Sequence, residues 1–148
     1  MTTTTRSERA NPWMWVLGLA LAGGILLMPR DDVDTSGVKQ VGVDEARALI
    51  ELGAVVVDVR GAGVYDDRHI PGAISVPLDD LRHGAIPDAL ATAMAKPVVV
   101  YCGDGVTIGP TGTALLNQAG FTQAVNLQPG IRGWTDAGLP VAGAKVGG

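Results

Sequence analysis

The sequence predicts an α/β domain built on an open parallel sheet with helices on both faces. Three observations predict it. The runs Ala54-Val55-Val56-Val57-Asp58-Val59 and Pro97-Val98-Val99-Val100 are almost continuously apolar instead of alternating, as expected of strands covered on both sides. Strand-like runs alternate with segments whose apolar residues recur at helical spacing, an order that argues for parallel pairing. The second run ends in a glycine loop, Tyr101-Cys102-Gly103-Asp104-Gly105-Val106-Thr107. Ligands in such sheets bind beyond the carboxyl ends of the strands, where this loop falls.

The elements follow in chain order. Residues 1–12 are an N-terminal tail, expected to be cytoplasmic, carrying Arg6 and Arg9. Residues 13–29 read as a transmembrane anchor or signal segment, uncharged and apolar from Trp13 to Met28. As a helix that run spans roughly 24 Å, a little short of a hydrocarbon core of ~30 Å. Trp13 and Trp15 suit an interfacial belt, and the upstream arginines place the domain on the periplasmic or extracytoplasmic side. The alternative is cleavage after Ala20-Leu21-Ala22, leaving a secreted or periplasmic domain. Its apolar core would be only about seven residues long, which favours the uncleaved anchor.

Residues 30–40 are polar, contain Gly37, and read as a linker. The domain proper is expected over residues 41–140, with a flexible tail at 141–148. Asp44 is positioned to cap a helix running to about Leu52, with Ala46, Leu49 and Ile50 on one face and Gly53 after it. The first buried strand follows, then an acidic segment to Asp67. His69-Ile70-Pro71-Gly72 turns the chain into another strand. Residues 79–95 look helical with an interruption at 84–87. The cysteine strand comes next, then a helix over 109–119, a strand over 124–127 and a closing helical piece over 131–137.

Cys102 is the only cysteine in 148 residues. Strand, tight loop and helix in succession aim backbone N–H groups and the positive end of a helix dipole at position 102, surroundings that stabilise a thiolate. A buried, inert cysteine is the alternative; two glycines at the mouth of the loop argue against it. Other chemistries are excluded by residue type. With a net charge of -4 and no basic stripe, nucleic acid is not expected as a partner. Two distant histidines and one cysteine offer no metal-ligand spacing. Gly103-x-Gly105 lacks the third glycine of a dinucleotide loop, so no cofactor is expected. Ile108 stands where a C-x5-R phosphatase requires its arginine clamp.

Four stretches, taken together, resemble the rhodanese family of sulfurtransferases: Asp58-Val59-Arg60, the segment YDDRHIPGA from Tyr65 to Ala73, the Cys102 loop, and Gly130-Ile131-Arg132-Gly133-Trp134. Many single-domain members resemble C-R-x-G-x-R, with arginines that help hold an anionic donor. Here Gly103 and Thr107 occupy those arginine positions, and Cys-Gly-Asp-Gly-Val-Thr is instead similar to the C-G-[ST]-G-V-T loop of mercaptopyruvate sulfurtransferases. Asp104 stands where that subfamily has a hydroxyl, and Val64 where it has a second arginine. The resemblance implies a rhodanese-like fold and a persulfide carried on Cys102. A small donor of the thiosulfate or 3-mercaptopyruvate class would load it, and a thiol or cyanide would unload it. Substrate would be held by Gly103, Asp104, Gly105, Val106 and Thr107, whose N–H groups face the sulfur, with Gly103 and Gly105 supplying positive φ and Thr107 capping the next helix. Arg60 would reach the pocket mouth, or else form an ion pair with Asp58. An ionised Asp104 disfavours a second negative charge nearby and repels a dianion such as thiosulfate, unless its side chain points to water. A rival reading is a non-catalytic or carrier module that docks a protein partner or accepts sulfur from it, as in a relay.

Overall fold

A computed structural model describes residues 32–146. The predicted tail (1–12) and membrane or signal segment (13–29) lie outside the described residues. Among the described residues, no helix is long and apolar enough to cross a membrane.

Five strands, β1 (Gln40–Val41), β2 (Val55–Asp58), β3 (Ile74–Ser75), β4 (Val98–Tyr101) and β5 (Ala124–Leu127), pair in parallel in the order β1-β5-β4-β2-β3. Between and after them run α1 (Val43–Glu51), α2 (Ala62–Asp67), α3 (Leu78–Arg82), α4 (Asp88–Ala91), α5 (Gly109–Gln118) and α6 (Gly130–Asp136). The central strand β4 explains why the sequence there is apolar at successive positions. Val98, Val100 and Cys102 pack with Val57, Leu116 and Phe121, whereas Val99 and Tyr101 pack with Val56, Leu127 and Trp134. Side chains alternate across a strand, so burying both faces requires every residue to be apolar. Each fully buried valine contributes about 1.5–3 kcal/mol.

Several local expectations are corrected. Val41 belongs to a two-residue edge strand, β1, and Asp44 caps nothing. Gly42 is the N-cap of α1 without a side-chain bond, and Asp44 and Glu45 sit in the first turn, where their charge complements the helix dipole. The acidic stretch before Asp67 is helical. The segment expected as a flexible tail from residue 141 is tied down as far as residue 146. Ala142 pairs with His69, Ala144 N–H donates to Asp66 O, and Lys145 reaches Asp67 through both its backbone and its ammonium. The break at 84–87 falls between α3 and α4, and α5 ends before Gly120, as the sequence predicts.

Candidate active site

β4 delivers the chain to Cys102 at the carboxyl edge of the sheet. The residue is only 1% exposed. It nevertheless lines a cavity of about 240 Å³ together with Gly103, Asp104, Thr107, Ile108 and Arg132. Cys102 is thus a buried residue that borders a surface pocket. Gly105 N–H donates to Cys102 Sγ at 3.2 Å, and the thiol donates to Asp104 Oδ1 at 3.3 Å.

Asp104 governs the loop. Its Oδ1 accepts the N–H groups of Val106 and Thr107, both at 2.9 Å, and its Oδ2 accepts the Thr107 hydroxyl. The hydroxyl bond first, then those two amides, hold its carboxyl well below the usual carboxylate range. Three expectations change. The carboxylate folds back onto the loop while staying open to solvent. The Val106 and Thr107 amides bind that carboxylate and not the sulfur, leaving Gly105 as the loop amide bonded to Sγ. Thr107 ties the loop together, and Ile108 occupies the N-cap of α5 with no side-chain bond. Gly105 has the positive φ expected of it, +75°, but Gly103 does not, and a Cβ at Gly103 would meet open space.

Residues distant in sequence fix the loop's shape. Ile131 N–H donates to Cys102 O at 2.9 Å and Arg132 N–H to Gly103 O at 3.1 Å. Asn126 Nδ2 donates to Gly105 O at 2.7 Å. Gly130, at φ +69°, lies so close that a Cβ there would stand 2.6 Å from Cys102 O. Asn126, Gly130 and Arg132 are site residues that the motif reading did not assign. Asn126 had a signal: it is a polar residue, 0% exposed, inside an otherwise apolar strand. A buried polar group must find partners.

The arrangement brings Cys102 together with the loop residues but leaves Arg60 elsewhere. Arg60 Nε and Nη2 fork onto the buried Asp58 carboxylate at 2.9 and 2.6 Å, and Nη2 also donates to Arg68 O. Arg60 lines a neighbouring cavity with Arg68 and Arg132, not the one in front of Cys102. Of its two expected roles, the ion pair is the one seen. Beside it, Tyr101 accepts the Ile70 N–H at 3.0 Å. Burial, reinforced by the Asp58 charge, holds its phenol far above the usual range. His69 stacks on Tyr65 with ring centroids 3.9 Å apart and bonds Tyr65 O through Nδ1, so it secures its turn. No group of three or more potential metal ligands exists among the described residues.

A parallel sheet carrying a recessed cysteine in a glycine loop at the end of its central strand is the rhodanese architecture. A match to the Rhodanese-like domain over residues 42–137 shows that the chain belongs to this family. Thiosulfate sulfurtransferase GlpE of Pseudomonas savastanoi is 37% identical over 97 residues, spanning 65% of this chain and 86% of that protein. The HTH-type transcriptional regulator Rv0324 of Mycobacterium tuberculosis is 38% identical over 101 residues, 66% of this chain but 42% of the regulator. Among solved structures, the rhodanese-like domain of an Anabaena protein superimposes with a TM-score of 0.60 at 28% identity, covering 73% of this chain and 81% of that domain. A thiosulfate sulfurtransferase from Pseudomonas aeruginosa gives 0.59 at 32% identity, over 72% of this chain and 20% of its own length.

Proposed function

We propose that the chain is a rhodanese-type sulfurtransferase that moves sulfane sulfur through a persulfide on Cys102. The observation that carries this reading is a lone buried cysteine that borders a cavity, with the Gly105 N–H directed at its sulfur. The thiosulfate sulfurtransferase activity for which the GlpE relatives are named supports it. In the first half-reaction the Cys102 thiolate attacks the outer sulfur of the donor. A new S–S bond forms, and the donor's bond to that sulfur breaks with its electron pair leaving on sulfite or pyruvate enolate. In the second, a thiolate or cyanide attacks the same sulfur and the Cys102 thiolate departs. Gly105 N–H, preorganised by its own φ and by Asn126, stabilises the charge on sulfur in both steps.

The donor is of the thiosulfate or 3-mercaptopyruvate class, the first named in the GlpE relatives and the second suggested by the loop's likeness, and both belong in the assay. A carrier role is the second reading, and Asp104 is the observation that favours it, since the amides on which an anionic donor would rest already hold a carboxylate. Purified protein supplied with either donor and cyanide is expected to release thiocyanate, and Cys102→Ser to release none. Persulfide on Cys102 that forms only when a partner protein is supplied would establish the carrier instead. The apolar run at residues 13–28 further supports a membrane-anchored domain facing the extracytoplasmic side. Retention of residues 1–22 in membrane-extracted protein tests that part.

A further inference from the structure

The Cys102 cavity does not stand alone. Gly103 and Arg132 line both it and an adjoining cavity of about 240 Å³ whose other walls include Arg60, Arg68, Ile131 and Thr135. The two cavities, together the cleft, thus share Gly103 and Arg132, and Arg68 lines only the second. Its charge is unevenly placed. Beside the sulfur sits a carboxylate that also takes two loop amides. Arg132 borders both cavities and Arg68 only the second; both are exposed, and their side chains have no carboxylate partner among the described residues, where the ion pairs engage other cations. Arg60 is the exception in the cleft, being committed to Asp58.

Resting on the sulfur-transfer reading above, we infer that Arg132 and Arg68 form the subsite for the carboxylate end of an organic thiol acceptor, whose sulfur meets the Cys102 persulfide. The placement of charge selects that chemistry. In thiosulfate the oxygens sit one bond from the transferred sulfur, and two of the loop amides that would meet them there are held by the Asp104 carboxylate. An organic thiol has carbon next to its sulfur, which suits the Ile108 wall, and carries its carboxylates several bonds away. Guanidinium groups at that remove pair with carboxylates through fork-like, charge-assisted hydrogen bonds. The step balances without an oxidant. The thiolate attacks the outer sulfur of Cys102–S–S⁻, a new S–S bond forms, the old one breaks, and its electron pair returns to Cys102. The product is the acceptor's persulfide.

The test separates this subsite from the chemistry. Full-length protein is loaded with sulfur, the one-sulfur mass gain on Cys102 is verified, and single-turnover discharge is followed with glutathione, which carries two carboxylates, and with neutral 2-mercaptoethanol. In the Arg68→Gln/Arg132→Gln protein the glutathione to 2-mercaptoethanol rate ratio is expected to fall by roughly tenfold or more. The loss should lie in the glutathione concentration dependence and shrink at high salt. Lys39→Gln, which removes one positive charge that lines neither cavity, should leave the ratio unchanged. A ratio unmoved by the double substitution, or moved equally by Lys39→Gln, overturns the subsite. Should Cys102 take up no sulfur, the transfer reading fails by itself. The subsite is then judged by NMR titration with unreactive S-methylglutathione: saturable shifts at Arg132 and Arg68 that vanish in the double variant uphold it, and their absence refutes it.

Discussion

Two aspartates stand at the carboxyl ends of neighbouring strands, and their fates differ completely. Asp58 closes β2 and lies in register with Tyr101, the last residue of β4; Asp104 follows three residues beyond Tyr101. Each interacts with a residue two positions away in sequence, Arg60 for one and Cys102 for the other. Asp58 is 0% exposed and meets a guanidinium, so its charge is neutralised within the core and serves the fold. Asp104 lies at the surface of the loop and meets a thiol, two amides and a hydroxyl, so its charge remains to act on the sulfur. What separates a structural carboxylate from one that shapes chemistry here is the burial and sign of the partner, not the residue type.

Three perturbations sharpen that contrast. Asp58→Ala should have the largest effect. Removing one member of a buried ion pair strands the other, so urea unfolding should show a loss of about 3–5 kcal/mol. A loss under 1 kcal/mol would mean that the pair is as dispensable as one on the surface.

Gly130→Ala should come next. It forces an L-residue into a left-handed backbone and brings a methyl group against Cys102 O, at a cost of about 1–3 kcal/mol. Because the contact is with the loop itself, the substitution should also cut the alkylation rate of Cys102 in the folded protein. Undiminished alkylation would show that α6 does not hold the loop.

The smallest effect concerns Asp104. Its carboxyl titrates below its unfolded value of about 3.9. The stabilisation it gives is therefore complete above that value and lost only as pH falls below it toward the folded one. The stability difference between wild type and Asp104→Asn, measured by urea unfolding, should be flat between pH 5 and 8 and shrink below pH 4. A difference that changes between pH 5 and 8 would place another titrating group on the loop.

The same contrast shows how far the sequence could be read. Both Asp58-x-Arg60 and Cys102-x-Asp104 are visible as short-range pairs, and the ion pair was foreseeable because opposite charges on one strand end have little choice of partner. The direction of the Asp104 side chain was not. An aspartate in a glycine loop can face water or its own backbone, and local spacing permits both. The helix at residues 62–67 escaped the reading because its apolar residues are too few to show a period. The extent of β1 escaped because a two-residue edge strand is defined by its neighbour, β5.

By itself the amino-acid sequence determined the layered sheet, the burial of β4 and the placement of the lone thiol at that strand's end. Burial on two faces demands uninterrupted apolar residues, and the positive φ at position 105 of the loop demands glycine. Only the tertiary structure decided which amide reaches the sulfur, which amides Asp104 takes, and that Arg132 and Asn126 belong to the site. Those choices depend on α6 and β5 lying against the loop, and such long-range packing leaves no periodic trace in the residues themselves.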